Sequence, residues 1–187
     1  LQLSLPGEHN LLNSLAAFAA ATAVGAAEDK LIIGLKSFTG TRRRFELKGE
    51  VGGVKVIDDY GHHPTELTVT LIAAKNLAQS GRVLVVFQPH RYSRTAAFAP
   101  AFATALQIAD FTFLLEVYAA SEKPISGVSS LLIAKNMTDT QVKFEPSMLT
   151  VVSEVAAMAK SGDVIITLGA GDVSSLGEPI LQALSSR

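Results

Sequence analysis

Apolar positions fall into two regimes along this chain. Up to about residue 40 they come in dense runs of small residues. The stretch "LLNSLAAFAAATAVGAA" (11–27) predicts a helix over 9–27, and "EDKLIIGLKSF" predicts a shorter one over 28–38. From about residue 41 the pattern changes. "FELKGEV" and "VKVIDDY" flank Gly52-Gly53, a hairpin signal. Short blocks of Val, Ile, Leu and Phe then alternate with helical stretches. "VKVIDD" precedes a helix from Pro64 to Gln79, and "RVLVVFQ" precedes one from about Ser93 to Ala109. "FTFLLEV" leads through a polar loop to "VSSLLIAKN", "QVKFE" to "SMLTVVSEVAAMAKS", and "DVIITLG" to a last helix. The blocks at 83–87, 111–115 and 164–168 are almost continuously apolar, as in strands covered on both faces. The expected fold is therefore α/β: a doubly wound, mostly parallel sheet of about six strands with an N-terminal hairpin strand. The expected boundary divides a helical segment, 1–40, from the sheet domain, 41–187.

Composition narrows the classes. The chain has 187 residues and a net charge of −1, which argues against binding nucleic acid or an anionic membrane through bulk charge. Residues 11–27 sit at the short limit for a membrane span and are interrupted by Asn13, Ser14 and Thr22, so a buried alanine-rich helix is expected. With no cysteine there is neither a disulfide nor a thiolate metal site, and a cytosolic protein is the simplest reading. The opening "LQLSLPGEHN", without Met or a signal-type leader, suggests a piece cut from a longer chain.

Open parallel sheets bind ligands beyond the carboxyl ends of their strands, so the loops there carry the chemistry. Two of them are crowded with ionisable groups: "DDYGHHPTE" after the first parallel strand and "QPHRYSRT" after the second. Five of the seven arginines lie in two clusters, Arg42 to Arg44 and Arg91 with Arg94. Arg91 and Arg94, three apart at a helix start, are placed to converge on one anion through paired hydrogen bonds, with Ser93 or Thr95 capping the helix and its N-terminus adding donors. Of three consecutive arginines, at least one should point inward. One of Asp58 and Asp59 could accept from ribose hydroxyls. His62, His63, His90 and an aspartate could instead hold a metal, which keeps a metal-dependent hydrolase open. In "LGAGDVSSLG" the third glycine of a dinucleotide fingerprint would fall at Ser174, so this reads as a tight turn and not as an NAD site. No Walker lysine motif is present, and a non-catalytic nucleotide-binding domain remains a third reading.

Taken together and in order, "GEHNLLNSLAAFAAA", "FTGTRRRFE", "DDYGHHPTE" and "FQPHRYSRT" resemble the Mur ligases of bacterial peptidoglycan synthesis, from about Leu5 to the C-terminus. The resemblance implies the last helices of a central ATPase domain followed by a Rossmann-like C-terminal domain. The N-terminal domain, the P-loop and most magnesium ligands of such a ligase would lie outside this chain. It implies ATP and Mg2+ as cofactors, with L-alanine and UDP-N-acetylmuramate joined through an acyl phosphate. It also implies residue roles. His9 and Asn10 would meet the adenine, Arg44 the ATP phosphates and Asp59 the ribose. Tyr60, His62, His90, Arg91 and Arg94 would line the substrate pocket, with His90, Arg91 and Arg94 closest to the chemistry. His63 would support its loop.

Overall fold

The computed structural model describes residues 3, 4, 7–137 and 141–187. The chain divides into two compact units, Leu1–Arg42 and Arg43–Arg187. The first holds two helices, α1 (Glu8–Ala23) and α2 (Glu28–Ser37). Alanine-rich α1 was expected to be buried. Instead Leu11, Leu12 and Leu15 are exposed, and within α1 only Ser14 is buried among the described side chains. Two short helices have too little apolar surface to enclose a core of their own. Among the described residues no helix is long and apolar enough to cross a membrane.

The second unit is built on a six-stranded sheet in the order β1-β2-β6-β3-β4-β5. Its strands are β1 (Glu46–Val51), β2 (Val54–Asp59), β3 (Val83–Phe87), β4 (Phe111–Leu114), β5 (Gln141–Phe144) and β6 (Val164–Leu168). Gly52 and Gly53, both at positive φ, make the turn between β1 and β2, which pair antiparallel; every other pair is parallel. Helices α3 (Pro64–Ala78), α4 (Tyr92–Leu106), α5 (Leu131–Ala134) and α6 (Met148–Met158) connect the strands, and a 3-10 turn at Asp172–Leu176 leads from β6 into α7 (Gly177–Ser185).

The central strands explain the apolar runs. Val83, Val85 and Phe87 pack with Leu67, Leu71 and Phe102 of α3 and α4. Leu84 and Val86 point the other way, toward Val151 and Val155 of α6 and Ile180 of α7. Alternate residues thus serve different layers, and no face needs polar side chains.

What the order does for function is decisive. The last strand, β6, inserts between β2 and β3 and pairs with both. In register, Asp59 lies beside Leu168, Leu168 beside Phe87, and Phe87 beside Leu114. Four strands therefore end level, and the loops after them start side by side.

The opposite end of the sheet is closed by Asp163, only 3% exposed. Its carboxylate accepts from Arg82 Nη2 at 2.6 Å and from the backbone N–H groups of Arg82 and Lys160, both at 2.9 Å. Burial alone would raise its pKa, but the Arg82 hydrogen bonds, the Lys160 N–H and the Arg82 charge together hold it below the ordinary aspartate value. A carboxylate with a lowered folded pKa contributes stability above its unfolded pKa, and that contribution fades as pH falls through the folded one. Asp163→Asn is therefore expected to lower stability at pH 7 by about 2 kcal/mol, and the deficit should shrink below about pH 4. Urea unfolding of both proteins across pH 3–7 checks this; a deficit independent of pH would contradict it.

Candidate functional site

The site begins with a bent segment, residues 43–45. Arg43 and Phe45 both sit at positive φ, 60° and 49°. Side chains rarely adopt this region, at about 1–2 kcal/mol per residue, so surrounding bonds must hold it. Those bonds are present. Tyr60 N–H donates to the Arg43 carbonyl at 2.7 Å, Phe45 N–H to Asp59 Oδ2 at 2.8 Å, and Arg43 N–H to Glu46 Oε2 at 2.8 Å. Arg43 is the inward member of the arginine cluster. Its Nε reaches Asp58 Oδ2 at 3.2 Å, and its Nη2 donates to the Gly169 and Gly171 carbonyls.

The two aspartates are committed to this framework. Asp58 is 1% exposed and also accepts from Thr167 Oγ1 at 2.7 Å. Asp59, 5% exposed, uses Oδ2 for Phe45 and Oδ1 for the Gly61 N–H at 2.7 Å. Burial raises the Asp59 pKa against these backbone bonds, the Arg44 charge and the Thr70 hydroxyl. Beside the expected ribose role, each oxygen of Asp59 accepts one backbone N–H and fastens the 43–45 segment to the 60–61 turn.

The loop after β2 presents Tyr60 and His62. His62 Nδ1 donates to the Tyr60 carbonyl at 3.0 Å, since a carbonyl can only accept, and its N–H donates to Glu66 Oε2 at 2.9 Å. Glu66 also receives the His63 N–H at 3.1 Å. Burial would raise the Glu66 pKa, but the two N–H groups with the charges of His62 and Arg44 bring it below the usual value. His63 turns away. It caps α3 by accepting from Thr65 N–H and sets its ring against Phe98 at 5.0 Å. Arg44 stays 54% exposed, 3.7 Å from Glu66 and over the Tyr60 ring at 5.6 Å; the Arg43 guanidinium lies over the same ring at 4.9 Å.

The loop after β3 carries His90, Arg91 and Arg94. The His90 ring lies 5.8 Å from that of His62, which in turn meets Tyr60 at 5.1 Å. The expected pocket residues therefore share one region. Burial first, then the charges of Arg94, His62 and Arg91, lowers the His90 pKa, so its imidazole is neutral at pH 7. His90 Nδ1 and Arg94 Nη1 are both enclosed and have no hydrogen-bond partner among the described residues. An unpaired buried polar atom is unfavourable by about 1–3 kcal/mol. The third such atom, Thr112 Oγ1, lies in buried β4, whereas His90 and Arg94 belong to the loop and helix start beyond a strand end.

Two expectations for this loop need correction. Neither Ser93 nor Thr95 caps α4; the N-cap is Arg91, at φ 73°, with no side-chain cap of its own. Thr95 Oγ1 donates back to the Arg91 carbonyl at 2.9 Å, because a threonine inside the first turn can reach that oxygen. The helix N-terminus is also not open to a ligand at Ser93. Glu122, from the loop after β4, accepts from Ser93 N–H at 2.9 Å and from Ser93 Oγ at 2.5 Å. The hydrolase reading fails as well. His63 faces α3, both aspartates are engaged, and no three His, Asp or Glu side chains could hold a metal among the described residues. The same donor set offers nothing for magnesium.

Three residues were missed. Gln88 donates from Nε2 to Asp172 Oδ1 at 2.6 Å and accepts from Val173 N–H at 3.1 Å, tying the ends of β3 and β6. Tyr118 stacks on His90, with centroids 5.5 Å apart and 14° between planes. Glu122 completes α4. All follow strands at their carboxyl ends, and reading the loop after β4 by the rule applied to its neighbours would have found the last two. Of the remaining expected residues, Asn10 lies in α1 of the first unit, and the His9 side chain lies outside the described part of the structure.

A doubly wound sheet, an arginine loop and a histidine loop at level strand ends define the class. The chain belongs to the Mur ligase family: residues 43–171 match the family described as Mur ligase, glutamate ligase domain. Among its relatives, the UDP-N-acetylmuramate–L-alanine ligase of Mycobacteroides abscessus is 50% identical over 100% of this chain and 39% of that protein. The solved UDP-N-acetylmuramate-alanine ligase of Thermotoga maritima superimposes with TM-score 0.79 at 28% identity, over 100% of this chain and 40% of that one. A murein peptide ligase of Psychrobacter arcticus gives 0.76 at 27%, again over 100% of this chain and 39% of that one. The chain thus spans about two fifths of the length of the relatives it matches.

Proposed function

We propose that this chain is the C-terminal, amino-acid-binding part of a cytoplasmic ATP-dependent ligase. The ligase joins L-alanine to UDP-N-acetylmuramate in peptidoglycan biosynthesis. Residues 1–40 are then the closing helices of the central ATP-binding domain, and 41–187 the domain that brings in the amino acid. The reading rests on one observation: an enclosed, unpartnered arginine nitrogen lies in the same loop cluster as a neutral histidine, at level strand ends, in a chain half identical to ligases of that name.

In this reaction the γ-phosphoryl of ATP passes to the lactyl carboxylate, the amine of alanine attacks the acyl phosphate, and the tetrahedral intermediate collapses to amide and phosphate. Catalysis consists of positioning and charge stabilisation. Arg91 and Arg94 hold carboxylate or the charged intermediate. His90, neutral at working pH, takes the proton that the alanine nitrogen loses as the C–N bond forms, so that the amine and not the ammonium attacks. Tyr60 and His62 shape the pocket, and exposed Arg44 reaches toward the ATP phosphates. His9 and Asn10 take the adenine. Asp59 acts by holding the 43–45 segment beside Tyr60. The magnesium of such a ligase would take its ligands from outside this chain.

The test is phosphate release in a full-length ligase carrying this chain. Release should require ATP, UDP-N-acetylmuramate and L-alanine together. Calorimetry on the chain alone should show only weak ATP binding; tight binding would favour the regulatory-domain reading. Phosphate release that ignores L-alanine would overturn the proposal.

A further inference from the structure

The segment after β4 runs beside the arginine loop like a strap. Leu115 N–H donates to the Phe87 carbonyl at 2.9 Å, and Tyr118 N–H to the Pro89 carbonyl at 2.8 Å. Arg91 N–H donates to the Tyr118 carbonyl at 2.8 Å, and Glu122 takes both donors of Ser93. Every second residue from Phe87 to Ser93 is therefore bonded to the strap. Tyr118 stands at its centre. Its backbone grips the chain on both sides of His90, forming a parallel bridge, and its ring lies flat on the imidazole.

That ring is also crowded by the turn after β6. A Cβ built on Gly171 would lie 2.7 Å from Tyr118 Cγ and would collide with Gln88 Oε1. Tyr118 is thus in close contact with both the Gly171 turn and His90, although 37% of it remains exposed. Arg91 adds a second observation. It is a non-glycine residue at φ 73°, a conformation that persists only where neighbours enforce it, and its N–H is held by Tyr118.

We propose that Tyr118 is a positioning residue for the amino-acid subsite: its ring fixes the plane of His90, and its backbone fixes the turn that aims Arg91 and Arg94. The inference rests on the ligase reading for its effect on turnover, but not for its effect on His90. Tyr118 touches no reacting atom. It acts by setting the orientation of groups that do, where misplacement by about 1 Å costs roughly 100-fold.

The experiment has two arms. On the chain itself, NMR follows the His90 imidazole protons during a pH titration. Tyr118→Leu should remove the ring-current shift of those protons and move the His90 pKa from its lowered value toward the ordinary one, about 6.5. Tyr118→Phe, which keeps the ring, should preserve both. In a full-length ligase, Tyr118→Leu should raise KM for L-alanine by roughly tenfold or more while KM for ATP stays within about twofold, and Tyr118→Phe should restore the wild-type value. Imidazole shifts and pKa unchanged in Tyr118→Leu would overturn the inference, as would an equal rise in both KM values. A wild-type ligase without L-alanine dependence would instead defeat the ligase reading, and the NMR arm would still decide the role of Tyr118. Melting curves of both variants accompany the assays, so a folding defect is seen directly.

Discussion

Arg94→Lys is expected to cut L-alanine-dependent phosphate release in a full-length ligase by about 10²–10³-fold while leaving the melting temperature unchanged or slightly raised. The first half follows from geometry. Arginine offers a planar fork, and one tine of Arg94, Nη1, is enclosed with no partner among the described residues. Lysine keeps the charge but, with a single nitrogen, cannot reproduce the planar fork. The second half follows from the same fact. A buried donor that bonds nothing in the folded chain contributes no stability, so its removal should be free of the usual penalty. Arg91 is exposed and its backbone is strained, so Arg91→Lys should lose less activity, by about tenfold. Steady-state kinetics with thermal melts on both variants check the ranking. A clear fall in melting temperature with unchanged turnover would make Arg94 a structural residue and sink the assignment.

How much of this was legible in the sequence depends on which physical signal carried it. The strands were, because a run such as "VLVVF" is stable only when covered on both faces. So was the chemistry of two loops, since ionisable residues gather directly after apolar runs. The position of β6 was not. Nothing local in "DVIITL" says that it threads between β2 and β3, yet that order is what brings "GAG" beside Gln88 and Tyr118. Individual side chains were also out of reach. That one of three arginines turns inward was readable, but which one was not: Arg43 takes that place through a left-handed backbone that sequence does not announce. Asp59 looked like a ligand because nucleotide folds often place an acid there. Its two backbone partners, Phe45 and Gly61, come from a bend formed only in the folded chain. Glu122 lies 29 residues beyond its partner Ser93, too far for any local capping rule to find.

Arg43→Ala is expected to be the most destabilising single change in the site, by about 3–5 kcal/mol, because it strands the buried Asp58 carboxylate. Asp58 is 1% exposed and, among the described residues, keeps its bond from Thr167 alone once Arg43 is gone. The same change frees the Gly169 and Gly171 carbonyls, which Arg43 Nη2 now binds. In a chain of this size the loss corresponds to a drop in melting temperature of roughly 10 °C or more. Adding Asp58→Asn should return much of it, since the amide can still accept from Thr167 Oγ1 and leaves no buried charge. The cycle of wild type, Arg43→Ala, Asp58→Asn and the double variant should show a coupling of about 1.5 kcal/mol or more. Additive single losses would mean that Arg43 acts through the glycine carbonyls and the Tyr60 ring and not through Asp58. The consequence for function then follows from position. Those carbonyls belong to the turn against which Gln88 and the Tyr118 ring rest, and Tyr118 lies on His90. Loosening Arg43 should therefore reach the histidine across three loops, and the His90 imidazole shifts in Arg43→Ala should move in the same direction as in Tyr118→Leu.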